Sequence, residues 1–356
     1  IEGHSAAGDG GEGDFYWDAA STAADDDGTI IEVTGVATGR WIRFYACNVN
    51  VAWFRSNPSA TAAVNVTGFK AAILADSGID IPGGTYLVDE ELDIAKDFNI
   101  NCLGNVVIDA SAATVGGNFA NSAVIYFDGG ALTQIPDLSV SAVKGDNALT
   151  FASAPGVVEG DVIIIYNPTN GSWNNFRTVY RAGEYCKVHS VAGSVVDLFG
   201  SLYDGYITTA VDAYKMAKRK LVLSGGKLNV IAPDSLNVVR CLVVSKSVDS
   251  VLDNFSGSNS GNATLGLDRC YNLQGYNLDL LQAEDAALGV DYGLTIGNSQ
   301  LVNVSGNFWG RRHAVTCGGT DDICVVPCRD IIVDGVYTND ETTNVQAFDL
   351  HGNSEF

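Results

Sequence analysis

The chain has 356 residues, of which 46% are apolar and 17% charged, so it can bury a large core and is not a disordered polymer. Asp and Glu number 42 against 20 Lys and Arg, a net charge of −22 that repels phosphate backbones and argues against nucleic acid as a partner. No run of ~18 consecutive apolar residues occurs, so no membrane insertion is expected.

Forty glycines accompany seven prolines and one methionine, and short bursts of Val, Ile and Thr recur throughout, which predicts many short strands and tight turns. Residues 1–13 are acidic and glycine-rich and read as an arm or linker. No basic and apolar leader opens the chain, and it starts at Ile1, so the natural start is expected to be missing or processed. Phe15-Tyr16-Trp17, the turn Asp25-Asp26-Asp27-Gly28, Thr29 to Val33 and the alternating Gly39 to Tyr45 predict a short β segment over 1–56. One helix is expected between Ala60 and Asp76, where Val66, Phe69, Ala72, Ile73 and Ala75 keep helical spacing and Gly78 follows. Three- to six-residue bursts come next, such as Thr85 to Val88 and Val106 to Asp109. Each is too short to stand alone and must stack on a neighbour.

Residues 145–222 break that rhythm with Val162 to Tyr166, an aromatic loop and Val195 to Phe199, and read as a small inserted β subdomain. From about Val222 the chain repeats: bursts at Leu242, Leu265, Leu294, Ala314 and Ala347 are each spaced by a few tens of residues, with a second burst after the first four. A coil of that length cannot bury its own apolar face, whereas stacked coils can. The fold expected is all-β, a right-handed single-stranded parallel β-helix, rather than a sandwich with strict alternation and hairpins. The domains are then 1–56, 57–144 (capping helix and first coils), 145–222 and 223–356, with the coils continuing beyond Phe356. The eight cysteines are dispersed, and the C-x6-C-x3-C spacing of Cys317, Cys324 and Cys328 is a poor zinc pattern, so buried thiols and no metal or other cofactor are expected. The zinc-protease, nucleophile-elbow and P-loop signatures are missing, and no G-x-G-x-x-G follows a strand.

Three stretches carry a family resemblance. Asp14-Phe15-Tyr16-Trp17-Asp18 with Gly28 to Ile31 and Gly39-Arg40-Trp41, Ile81-Pro82-Gly83-Gly84-Thr85-Tyr86-Leu87-Val88 running to Asp109, and Gly160-Asp161-Val162-Ile163 with Tyr180, Gly183 and Glu184 are similar to bacteriophage tailspikes of the pectate-lyase-like β-helix type. The resemblance implies a homotrimer on the virion, joined to other tail proteins through its N-terminal region and assembled in the bacterial host cytoplasm. It also implies recognition of a bacterial surface polysaccharide, capsule or O-antigen, and its depolymerisation, with hydrolysis ahead of β-elimination. A non-catalytic adhesin or structural tail component, or a secreted bacterial polysaccharide lyase or hydrolase, are the alternatives. The family's Gly-Asp-Gly…Asp-Asp-Thr segment is replaced here by Arg55-Ser56-Asn57-Pro58 after Trp53-Phe54, so no role of those acids carries over.

A β-helix acting on sugars needs carboxylates to move protons and aromatic faces to stack on rings. Glu284, Asp291 and Asp349 are the candidate acids, and His313 and His351 the candidate bases. Arg311 and Arg312 stand out in a chain short of cations and suit an acidic sugar, while Trp309 flanks them. Trp173 and Tyr180, in an amide-rich loop with Phe176 and Tyr185, suit sugar recognition or packing of the insertion on the β-helix. Lys246, Asp268, Asn298 and His351 end successive bursts and are expected to form a polar ladder.

Overall fold

The computed structural model describes all residues except 5, 115–117, 170–180, 234–237, 283–290, 319–324, 340–345 and 351–356. The chain winds so that successive coils add one strand to each of three parallel ladders. The first ladder stacks Val49–Asn50, Gly78–Ile81, Phe98–Cys102, Leu221–Gly225 and Val251–Asp253, then the leading halves of Tyr271–Gln282, Gln300–Trp309 and Arg329–Thr338. The second stacks Gly84–Leu87, Val106–Asp109, Leu228–Ile231 and Phe255–Ser260, then the trailing halves of the same three long strands. The third runs through Leu92–Ile94, Ala123–Asp128, Arg240–Ser245, Ala263–Asp268, Tyr292–Gly297, His313–Gly318 and Phe348–Leu350. Such stacking of parallel ladders is a parallel β-helix.

Register explains the core. In the third ladder Ile125, Leu242, Leu265, Leu294 and Val315 form one inward row, and Phe127, Val244, Leu267, Ile296 and Cys317 the next. All ten are at most 3% exposed. Because side chains alternate along a strand, the residues between these rows face outward and are free for other work. Helix Ala62–Ala75 lies against the first coils, burying Val66, Phe69, Ala72 and Ile73, with the Phe69 ring edge-on to Tyr86 at 5.4 Å.

The insertion leaves the third ladder after Asp128 and returns to the first at Leu221. Its six antiparallel strands lie in the order Thr133–Ile135, Asp212–Lys215, Val162–Tyr166, Gly183–Ala192, Val195–Leu198, Ala148–Thr150. The sheet therefore takes in strand Thr133–Ile135, ahead of residue 145. It has a core of its own, including Leu149, Phe151, Ile163, Ile165, Val196 and Tyr206.

A second apolar cluster, with Ile164, Tyr185 and Met216 against Val248, Tyr271 and Val326, joins the insertion to the β-helix. Polar bonds lock this seam. The Tyr185 N–H donates to Gln300 Oε1 at 3.0 Å, and its hydroxyl donates to the Asn298 carbonyl. The buried Glu184 carboxylate accepts from the Tyr203 and Asp204 amides and from the Tyr206 hydroxyl at 2.8–3.1 Å. Arg329, 1% exposed as a side chain, reaches from the β-helix with Nη1 3.9 Å from Glu184, Nη2 2.7 Å from Asp204 and its guanidinium over the Tyr203 ring. Tyr185 thus serves the packing alternative. Burial raises the Glu184 carboxyl above its ordinary range, against the pull of those donors and of Arg329.

At the N-terminus, antiparallel strands Phe15–Asp18, Arg40–Arg43 and Ile30–Glu32 form a small sheet. Residues 1–13 are not a loose linker where described. Arg43 lies 4.5 Å from the ring centroids of both Phe15 and Trp53, and donates to the carbonyls of Gly11, Glu12 and Gly28. His4 Nε2 lies 2.6 Å from the Trp53 carbonyl oxygen.

Candidate functional site

The outward side of the third ladder carries an open cavity. Its central outward row is Asp93, Tyr126, Val243, Gly266, Thr295, Thr316 and Asp349. Gly266 in the middle has no side chain, and a Cβ there would sit 3.1 Å from Arg240 Cδ, so a larger residue would fill the space. The result is a groove of about 440 Å³, lined among others by Asn121, Tyr126, Arg240, Asn262, Asp268 and Tyr292. Amides, hydroxyls and two tyrosine rings around an open trough suit a polyhydroxylated ligand.

The walls are charged in an ordered way. Asp128, Ser245, Asp268 and Gly297 share one outward row. Lys246 Nζ lies 2.8 Å from Asp128 Oδ1. Asp268 is bridged by Arg269 and accepts from Asn298 Nδ2 at 3.1 Å. The polar ladder therefore has a different register from the one expected. Lys246, Arg269 and Asn298 occupy equivalent left-handed corners, with φ of 55°, 53° and 48°, and Asp268 stands one residue before them. Tyr126 has its hydroxyl pKa raised, first by burial and then by Asp128 and Asp268, with Ser245 and Lys246 opposing, so the phenol keeps its proton at neutral pH. At the groove end, Asn121 Nδ2 donates to Glu91 Oε1 at 2.7 Å and to Asp93 Oδ1 at 3.3 Å. Glu91 is buried, which raises its pKa.

The sequence candidates fall into three groups. His313 and Asp349 meet: His313 Nε2 is 3.2 Å from Asp349 Oδ2, while Nδ1 is 2.8 Å from the Gln346 carbonyl oxygen and the ring stacks on Tyr292 at 5.6 Å. Arg312 Nη1 reaches the Tyr292 hydroxyl at 3.5 Å, which ties this corner to the groove wall. Arg311 and the half-buried Trp309 stand on the same turn. Asp291 belongs to a different environment. It is 0% exposed, and its backbone carbonyl accepts from the Arg312 and His313 amides, so it shapes the corner from inside instead of facing the groove. Glu284, His351, Trp173 and Tyr180 lie outside the described residues, as does Cys324; Cys317 and Cys328 are buried thiols with raised pKa.

Sequence reasoning missed Tyr126, Arg240 and the opening made by Gly266. The signal for them was the register itself: Leu265-Gly266-Leu267 and Leu242-Val243-Val244 carry the same inward pattern, which places Gly266 beside Val243 on the outer face.

Comparison with known proteins bears on what such a groove serves. Three family models match in sequence: a phage tail protein small four-stranded β-sheet domain over residues 1–46, a tailspike protein-like, Ig-like domain over 127–216, and a Gp49, pectin lyase-like domain over 258–356. The chain is tailspike-like. Solved structures agree. The tailspike gp61 of Pseudomonas phage phi297 is 30% identical with a TM-score of 0.72 over 85% of this chain and 50% of its own. The tailspike gp49 of Pseudomonas phage LKA1 is 29% identical with a TM-score of 0.72, over 83% and 49%. The Gp54 tailspike of Acinetobacter baumannii phage AP22, solved in complex with A. baumannii capsular saccharide, shares the fold at 24% identity and a TM-score of 0.70, over 86% and 49%. The tailspike-like chain thus spans about half the length of these relatives. No curated protein matches its sequence.

Proposed function

We propose that this chain is part of a phage tailspike that binds and cuts a bacterial surface polysaccharide, and that the third-ladder groove holds the glycan. The observation that carries the reading is the groove itself: an open trough across several rigid coils, lined by tyrosines, amides and an acid, in a chain with tailspike-like domain order. A rigid β-sheet floor fixes the contacting side chains in advance, so little conformational entropy is lost when a long glycan docks.

Within the groove Asp268 is the proton-accepting group. Arg269 and Asn298 orient its carboxyl group. Tyr126, a phenol that is protonated at neutral pH, is the proton donor to a departing sugar oxygen. In hydrolysis Asp268 activates water. The His313–Asp349 pair, two and three coils on from Gly266, lengthens the binding track. A second reading, β-elimination, is favoured by Arg240 beside these groups, since a cation facing a uronate carboxylate makes the neighbouring C–H more acidic. The N-terminal sheet joins other tail proteins, and the working particle is a homotrimer.

The test is clearance of host polysaccharide by the purified protein, compared with Asp268→Asn and Tyr126→Phe. Each variant is expected to lose about 10²–10⁴-fold in turnover with binding retained. Products without an ultraviolet-absorbing unsaturated sugar support hydrolysis, and unsaturated products support elimination. Full activity in both variants would overturn the assignment.

A further inference from the structure

Among the described residues, two of the cations on the ladder face stand beside a carboxylate. Lys246 has Asp128 and Arg269 has Asp268. Arg240 does not. It rises from the strand Arg240–Ser245 into the groove, with its aliphatic stem beside Gly266. Its Nε is sealed from solvent and has no hydrogen-bond partner, and the guanidinium makes no ion pair among the described residues. Asp268 and Tyr126 are its electrostatic neighbours, and Asp268 is engaged by Arg269 and Asn298. In a chain of net charge −22, a cation held away from the many available carboxylates is a costly arrangement.

We propose that Arg240 is the specificity residue of the groove and that it recognises the carboxylate of an acidic sugar. This rests on the glycan-binding reading given above and adds the chemical class of the ligand. A guanidinium offers a planar fork of N–H donors that matches two carboxylate oxygens; with Nε sealed behind it, the Nη1–Nη2 edge is the fork that faces a ligand, and the Nε–H reports on it from inside. Tyr126 and Tyr292 line the same groove and can take the faces of the ring or its neighbours, and Asn262 and Thr295 supply partners for hydroxyls. A neutral sugar in this place would leave the Arg240 donors buried and unanswered, so neutral glycans are disfavoured as well as acidic ones favoured. Arg311 and Arg312, the cations expected to meet an acidic sugar, stand at the far corner beside His313 and add to the field along the track.

The experiment reads Arg240 directly. The side-chain Nε–H signal of Arg240 in the intact 356-residue chain is followed by NMR during titration with D-glucuronate, D-glucose and acetate. A saturable shift with glucuronate, absent with glucose and weaker with acetate, is the expected result. In parallel, binding of an acidic polysaccharide is expected to weaken about 10–100-fold on carboxyl reduction of the polymer, and by a similar factor in Arg240→Gln. Arg240→Lys, which keeps the charge without the fork, should restore only part of the loss. Equal shifts with glucuronate and glucose, no shift with glucuronate, or a shift with acetate as strong as with glucuronate would overturn the proposal. If the protein binds neutral or carboxyl-reduced polysaccharide as tightly as the acidic form, this inference fails while the glycan-binding function stands. If no polysaccharide is bound at all, both fall together.

Discussion

Replacing Arg329 with Met removes the cation that joins the insertion to the β-helix while keeping most of the side-chain volume. Loss of one partner from a buried ion pair costs about 3–5 kcal/mol, because the other charge stays behind uncompensated. Here the lower end applies. Glu184 keeps its bonds from the Tyr203 and Asp204 amides and the Tyr206 hydroxyl, and Asp204 is partly open to solvent. A cost of about 3 kcal/mol corresponds to about a 100-fold rise in local opening, at about 1.4 kcal/mol per decade. Amide hydrogen exchange measures this residue by residue. The Tyr203 and Asp204 amides should lose about 100-fold in protection in Arg329→Met, while Leu223 and Val230 in the helical coils hold theirs, because those strands pack on separate neighbours. Unchanged protection at Tyr203 and Asp204, or an equal loss at all four, would refute the idea that this arginine fastens one particular seam.

Gly266→Leu should close the groove and reduce polysaccharide binding by about tenfold or more, with the melting temperature little changed, because the new side chain projects outward beside a flexible arginine stem; isothermal titration and a thermal melt check the two halves. Glu184 has its pKa raised in the folded state, so its share of stability is fully present below the unfolded carboxyl value and is lost as pH rises through the folded one. Urea titrations at a series of pH values above ~4.5 should show that decline in the native chain and a flatter profile in Glu184→Gln. Arg43→Leu should destabilise the N-terminal sheet by about 2–4 kcal/mol, since the carbonyls of Gly11, Glu12 and Gly28 are left without their donor and the Phe15 and Trp53 rings without their cation; a lower midpoint in Trp53 fluorescence, with the β-helix transition unmoved, is the expected reading.

The coils were legible in the sequence because their inward rows are so uniform. Leu242, Leu265 and Leu294 recur with aliphatic companions two residues on, and only stacking satisfies such short bursts. Helix Ala62–Ala75 was legible for the same reason, through its buried face. The site was less so. A groove in a β-helix depends on which outward residues are small, and on register exact to one residue. Reading Asp268 in line with Lys246 and Asn298 displaced it by that one residue, since the corner turn at Arg269 carries no apolar marker. His313 and Asp349 both stand out in the sequence, yet their pairing needs the long strand Arg329–Thr338 between them to turn the chain by one full coil. Arg240 escapes notice because a lone arginine before an apolar burst looks like any strand boundary.

The insertion has a consequence for how the groove comes into being. Tyr126 and Arg240 line it from adjacent strands, yet roughly 110 residues separate Asp128 from Arg240 in the chain. At ribosomal speeds that interval takes about 6–20 s. During it the strand Ala123–Asp128 waits with one edge unpaired, an invitation to mispairing with other nascent chains. The insertion, which has its own core, can collapse in the meantime and act as a timer and a shield. Completion of the groove is thus ordered by synthesis: it begins only when the inserted sheet has emerged, and a slowed or misfolded insertion would leave a half-built solenoid with a sticky end.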